Sequence, residues 1–142
     1  MKELDSTAEN LPFRLHRTTT ALRTAMTRGL TAAYGADFTV DYWLILKALC
    51  TQGCMSSADL ARVHHRDRAS MHRTLSCMER MGIIAVVRGG RSHIVEITPM
   101  GMDFVPKAEQ AVQQTLDELL HPLNPLEISE MSRILDSIFH KY

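Results

Sequence analysis

Seven arginines and no lysine stand between residues 62 and 93: Arg62, Arg66, Arg68, Arg73, Arg80, Arg88 and Arg91, against only Asp67 and Glu79. A guanidinium keeps its charge at any physiological pH and presents a planar fork of donors. That fork fits a phosphate, or the edge of a guanine, through two bonds at once, which an ammonium cannot do. Four of the seven histidines, His64, His65, His72 and His93, fall in the same stretch. The 142-residue chain carries 16 basic and 16 acidic side chains, so the basic centre is balanced elsewhere. Beyond residue 93 the acids Glu96, Asp103, Glu109, Asp117, Glu118, Glu127, Glu130 and Asp136 outnumber Lys107, Arg133 and Lys141. A phosphate-rich partner is the first reading, and an arginine-rich solvated surface is the other.

Other chemistries find less material. There is no Gly-x-Gly-x-x-Gly, no phosphate-loop Gly-Lys-Ser or Gly-Lys-Thr and no His-Glu-x-x-His, and the scattered Ser, His and Asp residues assemble no catalytic set, so the chain reads as a non-enzyme without cofactors. Cys50 and Cys54 are too few and too loosely spaced for zinc. His64-His65 diverge on any regular element, and His16, His121 and His140 show no ligand spacing, so no metal is expected. Three cysteines exclude a disulfide-stapled fold, no apolar run is long enough to span a membrane, and the N-terminus shows no basic flank with an apolar signal core. A cytoplasmic protein is expected. Two further features stay open. Cys77, among Arg73, Arg80 and His72, is either an oxidisable thiol or an inert one. Tyr34, Phe38, Tyr42 and Trp43 are either a small-molecule pocket or ordinary core.

The elements that must position these residues follow from periodicity. Leu11, Leu15, Leu22, Met26, Leu30 and Ala33 predict one long amphipathic helix over 11–34, ended by Gly35. A second helix follows Thr39, packs Trp43, Leu46 and Leu49 inward and stops at Gly53. Ser56 with Asp59 starts a short third helix that runs through Ala61. Asp67 caps a fourth helix to Met81, with Gly82 as its stop. One of its faces, Met71, Leu75 and Met78, is apolar. Another carries Arg66, Ser70, Arg73, Cys77 and Arg80, flanked by Arg68, His72 and Ser76. Residues 83–88 and 93–98 surround Gly89-Gly90 and predict a hairpin tipped by Arg88 and Arg91. Thr98-Pro99 opens a fifth helix, kinked at Pro106 and ended at His121-Pro122. Asn124-Pro125 opens a sixth with a broad apolar stripe.

Helix, short helix, turn, helix and arginine-tipped hairpin is the order of a winged helix-turn-helix. An α-helix fits the major groove, and its exposed face must offer donors to bases and phosphates, as Arg68, Ser70, His72, Arg73 and Ser76 do. Arg66 belongs to the same stripe. Ser56 and Ser57 are the expected phosphate contacts of the third helix, and Arg88 and Arg91 on the wing are expected to reach an adjacent minor groove, whose narrow stretches hold the most negative potential. Two classes of partner fit this face: double-stranded DNA, or an acidic protein docked by an interaction module.

The chain resembles the MarR-type winged-helix transcriptional regulators of bacteria. The resemblance rests on Met55-Ser56-Ser57-Ala58-Asp59-Leu60-Ala61, on Asp67-Arg68-Ala69-Ser70-Met71-His72-Arg73-Thr74-Leu75, on Met78-Glu79-Arg80-Met81-Gly82-Ile83-Ile84, and on Ile97-Thr98-Pro99-Met100-Gly101. It implies a mainly α fold with a small β-hairpin wing. The DNA-binding lobe spans 37–99, and 9–36 with 100–142 forms a helical dimerisation platform. It also implies a homodimer that reads a palindromic operator, as a repressor, in successive major grooves roughly 34 Å apart. Small aromatic acids, zinc or cysteine oxidation often switch such proteins. The peroxide sensors of that family carry a reactive cysteine near the start of the first helix, and this chain has none there. Family wings usually carry Asp-x-Arg, whereas the short tip here is Arg88-Gly89-Gly90-Arg91. The apolar faces of the first, fifth and sixth helices independently call for a partner: Leu11, Leu15, Leu116, Leu119, Ile128, Met131, Ile134, Leu135, Ile138 and Phe139 exceed what one small core can cover.

Overall fold

The computed structural model describes residues 10–91 and 93–139; residue 9 and residues 140–142 of the expected platform, including His140, lie outside them. The described elements are α1 Leu11–Tyr34, α2 Val40–Gln52, β1 Met55–Ser56, α3 Ser57–Val63, α4 Arg68–Arg80, β2 Ile84–Val87, β3 Ile94–Ile97, α5 Pro99–Leu120 and α6 Pro125–Phe139.

Helices α2 to α6 each begin where a side-chain oxygen accepts a backbone N–H that the helix itself leaves unpaired. Thr39 accepts from Tyr42 at 3.3 Å, Ser56 from Asp59 at 3.0 Å, Asp67 from Ser70 at 2.8 Å, Thr98 from Gly101 at 3.1 Å and Asn124 from Glu127 at 2.9 Å. The capping residues expected from the sequence are therefore the ones in place. Helix α3 runs past Ala61 to Val63, and α4 ends at Arg80 with Met81 as its C-cap. The proline inside α5 does not break it: one helix runs from Pro99 to Leu120.

The hairpin is shorter than 83–88 and 93–98. Ile83 gives its N–H to Met78 O at the end of α4, and Thr98 serves as the cap of α5. Strands β2 and β3 pair antiparallel from Ile84 opposite Ile97 to Val87 opposite Ile94. The strand β1, unforeseen because two residues show no alternation, adds to the other edge of β3 with Met55 opposite Val95. The wing root is thereby joined to the start of α3.

Leu46 and Leu49 of α2, Leu60 of α3, Met71, Leu75 and Met78 of α4, and Ile83, Ile84 and Val95 of the wing root form one buried core. Burying each such side chain is worth about 1.5–3 kcal/mol. Trp43, expected to point inward with them, is only half-buried. Helix α1 lies along α5, and the crossing is close at Gly29, where a Cβ would sit 2.6 Å from Thr115 Oγ1 and 3.0 Å from Ala111 O. A tighter junction lies at Gly101, whose missing Cβ would stand 2.0 Å from Ile83 O. Thr98 closes the same junction: its hydroxyl donates to Gly82 O at 2.6 Å and its amide to Ile83 O at 3.2 Å. The start of α5 is thus pinned to the end of α4.

The other end of the molecule is different. Residues 11–21 of α1 are exposed and α6 buries no residue.

Candidate nucleic-acid interface

Helix α4 separates its faces cleanly. Met71, Leu75 and Met78 are buried, and Arg68, His72, Arg73 and Arg80 are exposed. Asp67 sets where the helix starts, so Arg68 is its first residue. Ser76 and Ser57 are half-buried, and Arg91 is exposed on the wing. Arg68, His72, Arg91, Ser57 and His93 line one cleft of about 410 Å³ between α3, α4 and the wing. His93 is absent from the sequence-derived set, because its ring joins the others only through the pairing of β3 with β1.

Several expected readers are spent inside the lobe. Arg66, in the turn before α4, donates from Nη2 to Ser70 Oγ at 2.6 Å and Thr74 Oγ1 at 2.8 Å, with Nη1 3.9 Å from Asp41 Oδ2. Its side chain is only 23% exposed. Arg66 and Ser70 thus tie the turn to the helix behind it instead of facing outward freely. The Ser56 hydroxyl both caps α3 and donates to the Asp59 carboxylate at 2.9 Å; hydrogen bonds from Arg62 first, then Ser56, hold that carboxyl below its ordinary range.

Arg88 lays its fork on Glu79, with bonds of 3.0 and 2.7 Å. The Arg88 guanidinium keeps the Glu79 carboxyl below, and the pair keeps Arg88 above, their ordinary values. The wing is thereby fastened to the last turn of α4. Nothing in the sequence marked Glu79, because the partners are nine residues apart across a turn.

Cys77 is half-buried, and Arg80 Nη2 lies 3.1 Å from its sulfur. Burial, and then the neighbouring Cys77, push the Tyr42 phenol up. In the turn between α3 and α4, His65 adopts φ 50°, and its ring lies 6.2 Å from that of Phe139 on α6. Burial lowers the His64 pKa, partly offset by Asp41, and its Nε2 is buried with no hydrogen-bond partner among the described residues.

The four aromatic residues do not frame a common space. Phe104 of α5 stacks on Tyr34 at 4.8 Å and on Phe38 at 5.4 Å, Tyr34 lies 4.7 Å from Phe38, and the Tyr34 hydroxyl donates to Phe104 O at 2.7 Å. Phe38 is 2% exposed, with Tyr42 edge-on at 5.9 Å. These rings fill one another's gaps as core. Trp43 instead lines a groove of about 480 Å³ between α2 and α5, with Val112, Leu116 and the ion-paired Lys47 and Glu109.

At the far end, Leu11, Leu15, Leu116, Leu119, Met131 and Ile134 line an apolar groove of about 700 Å³. Leu135, Ile138 and Phe139 are also exposed, and Ile128 is half-buried. Among the described residues no three His, Cys, Asp or Glu side chains are grouped to hold a metal, and no helix is long and apolar enough to cross a membrane.

A three-helix lobe with its basic helix outward, a hairpin wing braced by a third short strand, and long helices carrying the lobe define a winged helix-turn-helix on a helical platform. This is the fold of the MarR-family transcriptional regulators. The chain superposes with a TM-score of 0.86 on the MarR-family regulator from Rhodococcus sp. RHA1, at 16% identity over 94% of this chain and 96% of that one. With Bordetella bronchiseptica BpsR, whose DNA binding is regulated by 6-hydroxynicotinic acid, the TM-score is 0.80 at 20% identity, covering 91% and 98%. With a cysteine-to-serine mutant of E. coli MarR complexed with operator DNA it is 0.72 at 20% identity, covering 94% and 99%. Residues 37–98 match the family HVO_A0114. No curated protein matches the sequence.

Proposed function

We propose that the chain is a MarR-type transcriptional regulator that binds a palindromic operator as a homodimer and acts in the cytoplasm as a repressor. The observation that carries this reading is the division of α4: three apolar side chains anchor it in the core while Arg68, His72 and Arg73 stand in solvent beside Arg91 of the wing. Such a helix offers hydrogen-bond donors to base edges and phosphates without an apolar side chain in the groove. The likeness to a protein solved on operator DNA supports the same use of the fold.

In this reading Arg73 meets bases, Arg68, His72, Ser57 and Ser76 lie along the backbone, and Arg91 serves the wing. Arg66, Ser70, Ser56 and Arg88 brace these groups. The two lobes are the DNA-binding unit over 37–99 and the platform over 9–36 and 100–142. A second copy of the chain covers the apolar groove of α1, α5 and α6, which a lone chain leaves in water.

Release by a small aromatic ligand is part of the reading. Its place is the groove beside Trp43 and Lys47 rather than the closed rings of Tyr34, Phe38 and Tyr42. Selection from a random duplex library by the purified protein tests the whole. An enriched inverted repeat with half-sites one helical turn apart is the expected result, and retention of no motif, with a salt dependence too shallow for counterion release, would favour docking on an acidic protein.

A further inference from the structure

The cleft between α3, α4 and the wing is unusual in what lines it: Ser57 and Ala58 from α3, Arg68 and His72 from α4, Arg91 and His93 from the wing, and no carboxylate. The acids on the neighbouring elements are occupied elsewhere. Asp59 accepts from Ser56 and Arg62, Asp67 caps α4 through Ser70, and Glu79 holds Arg88. Glu96, three residues from His93, points to the opposite face of β3. Two fixed positive charges and two imidazoles therefore meet in about 410 Å³ with nothing among the described residues to neutralise them.

The cleft is also held in shape. Ser57 donates its N–H to His93 O at 2.9 Å, which locks the entry of β3 to the first residue of α3, and β1 pairs alongside. His93 Nδ1 is buried without a hydrogen-bond partner among the described residues. A buried ring nitrogen left unpaired costs free energy until an acceptor, or a change of ring orientation, satisfies it.

We propose that this cleft is the seat of a single DNA backbone phosphate, with Arg68 and Arg91 as its permanent charges and His72 and His93 as donors that act fully only when protonated. The inference rests on the DNA-binding reading and adds a regulated contact to it. It gives Arg91 a phosphate to hold between the wing and α4. Imidazole changes charge between about pH 5 and 8, and an imidazolium facing a phosphate is favoured over a neutral ring. Affinity for duplex DNA therefore rises as the pH falls. For each proton taken up with the phosphate, affinity rises by up to about tenfold per unit fall in pH.

Because a phosphate contact carries no sequence information, a mixed-sequence duplex of about two helical turns serves as the probe. Its affinity for the full chain is measured by fluorescence anisotropy at low, constant ionic strength from about pH 8 to about pH 6. The wild type is expected to gain about tenfold or more, and His72→Gln/His93→Gln to lose most of that gain while melting like the wild type. The single substitutions and Arg91→Gln, which keeps both rings, provide variants that remain informative if the double variant folds poorly.

A double variant with the full pH response would overturn the proposal and assign the protons to other histidines. Inorganic phosphate that shifts the His72 and His93 ring resonances as strongly in the free protein as the duplex does would overturn it too, making the cleft a free-anion site. A protein that binds no duplex at any pH would instead refute the DNA-binding reading itself, which keeps the two failures apart.

Discussion

Gly101→Ala isolates the junction on which the position of the wing depends. The added Cβ would lie 2.0 Å from Ile83 O and 2.9 Å from Ile97 Cγ1, whereas ordinary contact begins at 3.4 Å. The carbonyl cannot swing aside freely, because it accepts the Thr98 N–H at 3.2 Å and belongs to a buried residue. Either α5 or the wing root must move by more than an ångström. Overpacking of that kind costs about 3 kcal/mol, the upper end of its usual range. For a chain of this size that corresponds to a fall in melting temperature of roughly 10 °C. Thermal unfolding followed by circular dichroism, at one protein concentration so that any self-association is held constant, reads the effect. Gly89→Ala is the control: its Cβ meets nothing within 4 Å, its backbone needs no left-handed conformation, and no change is expected. Two variants melting together, within a degree or two of wild type, would show that the junction is soft and that the argument from Gly101 fails.

Arg73→Ala is expected to cost about 1–3 kcal/mol of operator affinity and to relax sequence preference, whereas Arg91→Ala weakens all duplexes alike and lowers the salt slope by about one; equal loss of specificity from both would contradict these roles. Glu79→Gln frees Arg88 and loosens the wing, so DNA should dissociate faster while the base preference set by α4 stays the same, and an altered preference would count against a bracing role. Ile134→Glu places a charge in the apolar groove of the platform and should halve the mass measured by light scattering, while an unchanged mass would remove this face from the dimer. The burial-lowered pKa of His64 makes protonation favour the unfolded chain. Its contribution to stability is therefore complete above about pH 6.5 and is lost as the pH falls toward its lowered native value. His64→Leu should flatten that part of the stability profile, and an identical slope would assign the effect elsewhere.

The helices and their starts were legible because they are local. Ser56, Asp67 and Thr98 each cap a helix whose apolar stripe announces itself within the next turn, and Met71, Leu75 and Met78 showed which face of α4 is buried. The candidate site was legible as a set of outward side chains, Arg68, His72, Arg73 and Arg91. Its internal bracing was not. The contacts Arg66 to Thr74, Arg88 to Glu79 and Phe104 to Phe38 join residues on different elements or across a turn, so no periodicity encodes them. The packing of the aromatic residues was illegible for the same reason: Phe104, sixty-six residues beyond Phe38, stacks on both Tyr34 and Phe38.

By itself, then, the order of residues determined the succession of elements, the polarity of each helix and the concentration of positive charge between residues 62 and 93, since side-chain chemistry and spacing along one chain suffice for these. Only tertiary structure decided which arginines remain available to a partner. A guanidinium is satisfied by whatever oxygen the fold brings within about 3 Å; the wing's packing on α4 gave Arg88 the Glu79 carboxylate and the turn before α4 gave Arg66 the Ser70 and Thr74 hydroxyls, while Arg68, Arg73 and Arg91 stayed on the solvent face.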